Sequence, residues 1–337
     1  MSELFNSLKT LSELNGITSN EKEVSTYIQN ELKEEAKKDF LGSLVYTKGS
    51  GAKVLLTAHI DEVGMMVNQI TADGFIKFQT VGKLNVVTLI NQKVLVTSKK
   101  SKFIGVLQAS NYAAADLKSL YIDLGFKSAK EAIEAGISVG DMITLYQPLE
   151  KLNGSLVTGK ALDNRVAVLV LLELLKKKIK THVEASFAFT TQGEVGLKGS
   201  KTTAYMVEPD LGINIEALTA SDVPGLDKTG NQLGMGPQIV FYDAGLIAHH
   251  GFRNYILDIA RSNNIPYQET FIQNESTDAS QVALAKSGAA SITIGIPVRY
   301  SGSNNQVADL TDIENTIKLV ESILTSLTND KVKEILY

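Results

Sequence analysis

Phe189-Thr190-Thr191-Gln192-Gly193-Glu194-Val195-Gly196-Leu197-Lys198-Gly199-Ser200 is the stretch on which the reading of the fold turns. The alternating apolar run before it, residues 183–189, has the period of a buried strand, and the stretch opens into a glycine-rich turn carrying one carboxylate, Glu194. Open α/β sheets keep their chemistry at strand ends. Glu194 therefore stands where a metal ligand or a base would be placed, although a single glutamate at a strand end is most often just solvated.

Working outward, residues 52–58 are almost continuously apolar, as an interior parallel strand is, and end in His59-Ile60-Asp61-Glu62. Alternate strand residues share a face, so His59 and Asp61 point the same way. A carboxylate so placed can orient the second ring nitrogen of a metal-binding histidine. A histidine alone is more often a satisfied polar residue. Asp163 lies just before an apolar helix over 166–175, where a carboxylate serves as a helix cap about as often as not. Residues 211–215 read as another strand, ending at Glu216, and 291–297 as the last one, running into Arg299-Tyr300-Ser301-Gly302-Ser303. Helices are expected before the first strand, with Ser19 or Asn20 capping the second of them, and over 248–261 and 309–327.

Between these α/β portions the pattern changes to short alternating runs at 65–70, 75–81, 92–97, 103–107 and 142–145, with a short helix capped by Ser128. The sequence thus predicts an α/β fold with a doubly wound mixed sheet flanked by helices, built from 1–62 and 156–337. A small β-rich, barrel-like unit is inserted over 63–155. The insert has no histidine and no acidic cluster, so assembly or access control is its expected role.

With 337 residues, 44% of them hydrophobic and 21% charged, the chain can bury a large core and is not of disordered composition. Its 37 acidic and 33 basic residues are spread along the chain for a net charge of -4, which leaves no basic footprint for nucleic acid. The absence of cysteine excludes disulfides, thiolate metal sites and a cysteine nucleophile together. No uninterrupted apolar span of membrane length and no basic-then-apolar leader occurs, so a cytoplasmic protein with no membrane partner is expected.

One imidazole and several carboxylates, His59, Asp163, Glu194 and Glu216, fall at strand ends or helix starts of one sheet, where they can converge. Nitrogen and oxygen ligands without thiolate suit zinc, cobalt or manganese. No compact motif such as His-Glu-x-x-His is present.

The chain resembles the glutamyl aminopeptidase and tetrahedral aminopeptidase group of two-metal exopeptidases, some members of which are named cellulases or endoglucanases. The resemblance is carried by Ala58-His59-Ile60-Asp61-Glu62-Val63-Gly64, Ala161-Leu162-Asp163-Asn164-Arg165, Glu194-Val195-Gly196, Asp222-Val223-Pro224-Gly225, Thr277-Asp278-Ala279 and Gly295-Ile296-Pro297-Val298-Arg299-Tyr300, in that order. It implies a zinc-exopeptidase-like fold, action on peptide amino termini, and a β-rich insert used in forming dimers and a dodecamer. It also implies that His59 and Glu216 hold one metal, that Asp163 bridges to a second held by Glu194, and that Asp61 supports His59.

Two positions depart from the family pattern. The general-base glutamate is replaced by Gly193, and the last metal-ligating histidine by Gly302. Paired ions activate water while a carboxylate takes its proton. Glycine does neither, and loss of a positioned base alone costs roughly 10²- to 10⁴-fold. The expectation is an aminopeptidase-family scaffold with one divalent ion, a second site empty or weak, and turnover weak or absent. The alternatives are a peptide-binding or assembly subunit, also one pairing with an active relative, and a single-metal hydrolase using Glu194 as substitute base. A carbohydrate hydrolase lacks a free carboxylate pair once the ligands are assigned. His249 and His250 fall beside a helix start that the resemblance places away from the metals. Arg299 serves equally as a partner for substrate carboxylates or as a structural salt bridge.

Overall fold

Glu184–Thr190, Lys53–His59, Leu211–Thr219 and Ala290–Arg299 run side by side and parallel at the centre of the main sheet. Each is a nearly continuous buried run, as a strand covered on both faces must be. The register sets Thr190 opposite His59 and Glu216 opposite Gly295, so the chemistry-bearing residues gather at one edge of the sheet. The structure, a computed structural model, describes residues 2–112, 115–226 and 231–337.

Antiparallel strands extend this centre and make the sheet mixed. Leu44–Lys48 pairs with Glu184–Thr190 on one side. On the other, Gln306–Asp309 pairs with Ala290–Arg299, and Leu156–Gly159 with Gln306–Asp309. Alternation along Lys53–His59 then divides the core between two faces. Val54, Leu56 and Ala58 join a large cluster with Val166 and Leu169 of helix Leu162–Lys176 and Leu319 and Val320 of helix Leu310–Ser326. Leu55 points to a smaller cluster with Ala204 and Val207 of helix Lys198–Val207 and Val282 of helix Asp278–Val282. His59 is in phase with Leu55. The doubly wound α/β arrangement expected from the sequence is the one observed.

The insert is a closed antiparallel barrel in the order Gly64–Ile70, Ile76–Val81, Leu120–Asp123, Lys102–Ala109, Lys93–Thr97, Met142–Leu145. It has its own core, including Met65, Phe78, Val94, Leu107 and Ile143. The sequence reading missed Leu120–Asp123, which is too short to display a period. It also missed Gln306–Asp309, where only Val307 and Ala308 are apolar. Glu150–Lys151 pairs with Leu156–Gly159, so the main sheet resumes at 150 rather than at 156. Ser128 caps helix Ala129–Ala135 by accepting from the Glu131 amide, as expected. Neither Ser19 nor Asn20 caps the second helix: it spans Lys22–Leu32, and its N-cap Glu21 makes no side-chain capping bond. Among the described residues no helix is long and apolar enough to cross a membrane.

Candidate metal centre

His59 is the last residue of its strand, and its Nε2 lies 3.0 Å from Glu216 Oε1 and 3.6 Å from Asp163 Oδ1. The ligand atoms of these three side chains all lie within 4.8 Å of one another. Asp163 reaches the group because the chain is not helical there: Asp163 (φ -82°, ψ 104°) and Asn164 break the regular helix that the sequence places after them. Ala161 is the N-cap, and no side-chain bond caps the helix, which leaves the Asp163 carboxylate free of capping. Asn164 clasps the neighbouring strand on both sides of Glu216, donating to the Ile215 carbonyl (3.2 Å) and accepting from the Ala217 amide (2.8 Å).

Each of the three side chains has a fixed partner. His59 Nδ1 lies 3.1 Å from the Asp61 backbone carbonyl oxygen and 3.3 Å from Asp61 Oδ1. The Asp61 carboxylate, fully buried, also accepts from the Thr18 hydroxyl (2.7 Å) and from the amides of Gly193 (2.8 Å) and Glu194 (3.1 Å). It thereby ties the His59 strand end to the glycine-rich turn. Asn214, two residues before Glu216 on the same strand face, donates to Glu216 Oε2 (2.9 Å) and accepts from Thr57 (3.0 Å). The Ser301 hydroxyl donates to Asp163 Oδ2 at 2.6 Å. Sequence reasoning missed Asn214, Asn164 and Ser301. Only Asn214 had a readable signal, its two-residue spacing from Glu216.

The pocket carries more negative than positive charge. Burial disfavours a charged imidazole at His59, but Glu216, Asp163 and Asp61 outweigh it and raise the ring's pKa well above the ordinary histidine value. Burial, reinforced by Asp163, Asp61 and Glu216, pushes the Glu194 carboxyl up to about 8. Burial and then Glu216 push Asp278 up to about 6, and its Oδ1 is buried without a hydrogen-bond partner. A nitrogen donor and two carboxylate oxygens converging amid surplus negative charge fit a divalent cation.

Glu194 stands outside the trio. Together with His59, Asp163, Glu216, Gly193 and Gly302 it lines a cavity of about 680 Å³, walled on the barrel side by Val63 and Gly82 to Asn85. Lys83 of that wall pairs with Glu275 of the main sheet side at 3.2 Å. The two glycines are tightly enclosed. A Cβ built on Gly193 would meet His59 Cβ and Cγ at 2.6 Å, and one on Gly302 would meet the Lys83 carbonyl oxygen at 2.8 Å from a left-handed backbone (φ +75°). Arg299 is outside the cavity lining, and its guanidinium is taken by Asp222 (Nε to Oδ1 2.8 Å). His249 caps helix His250–Ser262 and His250 lies 3.4 Å from Asn254; neither lines the cavity.

Comparison with known proteins places this geometry. The sequence pattern of the M42 glutamyl aminopeptidase family matches residues 42–319. A protein of Acetivibrio thermocellus whose name carries the word aminopeptidase is 36% identical over 333 residues, covering 95% of this chain and 98% of that one. The TET aminopeptidase of a marine sediment archaeon, Thaumarchaeota archaeon SCGC AB-539-E09, superposes with a TM-score of 0.95 at 29% identity, covering 99% of both chains. The TET1 peptidase of Pyrococcus horikoshii, which can assemble into a tetrahedron or a large octahedral shell, does so at 0.87 and 28% identity, covering 96% of this chain and 100% of that one. With a family pattern spanning most of its length and the same fold end to end, the chain belongs to the M42 glutamyl aminopeptidase family.

Proposed function

We propose that this chain binds one divalent cation and peptide amino termini in the family's cavity, and that it has lost the family's ordinary two-metal turnover. The observation that carries the reading is the enclosure of Gly193 and Gly302. The base and imidazole are missing, and the His59 ring and the Lys83 carbonyl fill the space where their first side-chain atoms would stand. His59, Asp163 and Glu216 are the residues that would hold the ion. Bound there, a divalent ion supplies Lewis acidity toward a peptide carbonyl. Asp61, Asn214 and Ser301 hold the three side chains, and the cavity lining combines these polar groups with the apolar residues Val63, Leu84, Leu218 and Ile272.

A second reading, a slow single-metal hydrolase in which Glu194 accepts the proton, is favoured by the place of Glu194 in the cavity but outside the trio. Assembly into a dodecamer is supported by the tetrahedral shell of the Pyrococcus horikoshii relative and by the dodecamer of PhTET1-12s.

Elemental analysis after incubation with zinc, cobalt or manganese, run beside an assay of amino-acid release from peptides, tests the reading. One ion per chain, peptide binding and no release is the expected result. Slow release that Glu194→Gln abolishes selects the second reading. Two tightly held ions with brisk release overturn both.

A further inference from the structure

We propose that Ser301 is a positioning residue for Asp163, its hydroxyl engaging one carboxylate oxygen so that the other is turned toward His59 and Glu216 as a ligand of fixed direction. The inference rests on the reading that these three side chains hold a divalent cation.

The two oxygens of Asp163 have different surroundings. Oδ1 is 3.6 Å from His59 Nε2, whereas Oδ2 accepts from Ser301 Oγ at 2.6 Å, within the short range of a hydroxyl donating to a carboxylate. The Asp163 amide donates to Gln306 Oε1 at 2.8 Å, so backbone and side chain are both held by the segment that leads from Ser301 into strand Gln306–Asp309. A cation approaching Oδ2 would have to displace the hydroxyl proton first. A carboxylate with one oxygen already bonded acts as a single-oxygen ligand of fixed direction.

Ser301 is itself firmly delivered. The residues on either side, Tyr300 (φ +60°) and Gly302 (φ +75°), both have left-handed backbone, which makes a sharp turn closed by the Ser303 amide donating to the Tyr300 carbonyl (3.2 Å). Arg299, gripped by Asp222, anchors the strand end just before this turn. The Lys83 carbonyl, against the bare Cα of Gly302, closes it from the barrel side. A hydroxyl held this rigidly loses little conformational freedom on bonding Asp163, so its contribution to ligand orientation is large for so small a group.

Calorimetric titration of the metal-free protein with zinc alone, on wild type, Ser301→Ala and Ser301→Thr, tests the assignment, together with melting of each metal-free protein. Losing an outer partner of a metal ligand typically lowers affinity by about 10- to 100-fold, and that is the loss expected for Ser301→Ala. Ser301→Thr, which keeps the hydroxyl, restores tight binding, and the melting temperatures of all three metal-free proteins agree, so the loss is one of ligand orientation rather than of folding. Zinc binding by Ser301→Ala as tight as wild type, or by Ser301→Thr as weak as Ser301→Ala, overturns the assignment and leaves the trio standing. Wild type that takes no zinc overturns the trio itself, and the role of Ser301 with it.

Discussion

Gly193 presents its bare Cα to the ring of His59: a β-carbon there would lie 2.6 Å from both Cβ and Cγ of that histidine and 3.1 Å from its Cδ2. The space beside Gly193, the position to which the sequence resemblance assigns a base, is therefore taken by the His59 side chain. Restoring the missing residue by Gly193→Glu pushes His59 off its partners. Overpacking of this kind costs about 1–3 kcal/mol. The variant is expected to melt earlier than wild type, to bind zinc more weakly, and to gain no peptidase activity; a zinc titration and a release assay check it, and recovered turnover would contradict the packing argument.

A buried charge cluster holds together the loops that carry His59 and Asp163. Lys160 donates to both oxygens of Glu62 (2.9 and 2.8 Å) and to the Leu14 carbonyl (3.0 Å), while Arg165 approaches Glu62 at 3.5 Å. Burial lowers the pKa of both cations, and Glu62 opposes that shift in each. Removing one member of such a cluster strands the others without water. Lys160→Met is expected to destabilise the fold by about 3–5 kcal/mol in urea denaturation. A loss below about 1 kcal/mol would show that the cluster is not what fixes these loops.

Asp312 provides a pH signature away from the pocket. Burial is the chief cause that raises its carboxyl to about 6, although the amides of Gly234 (2.7 Å) and Gly236 (2.8 Å) favour the charged form. Because the folded pKa lies above the unfolded one, this residue's contribution to stability is full below about pH 4 and is lost as pH rises through about 6. The span corresponds to at most about 3 kcal/mol. Denaturation of wild type and Asp312→Asn across pH 4 to 7 is expected to show that decline in wild type and a flatter profile in the variant. Parallel profiles would rule it out.

Much of the fold was legible because four central strands are buried on both faces and so read as apolar runs ending in polar residues. His59 could be placed from that alone; Glu216 was expected to end its strand but lies within Leu211–Thr219, because the apolar Ala217 and Leu218 carry the strand on past it. Asp163 could not be placed that way, since a carboxylate before an apolar helix looks like a cap. What separates the two roles is the non-helical backbone at Asp163 and Asn164, which no periodicity reports. Glu194 was legible as a strand-end carboxylate, whereas its distance from the trio depends on how the turn folds over Asp61. Ser301 carried no signal, because its role comes from the left-handed residues beside it and from a partner far away in the chain. The enclosure of the two glycines was equally hidden: sequence records a glycine but not which atoms stand against its Cα.

The Lys83 carbonyl against Gly302, and the ion pair of Lys83 with Glu275, make the barrel a wall of the pocket rather than an appendage to it. The recess therefore exists only where the two units meet, and cutting out the barrel would leave an open shelf. The barrel thus abuts, through the Lys83 carbonyl, the same turn whose Ser301 hydroxyl bonds Asp163.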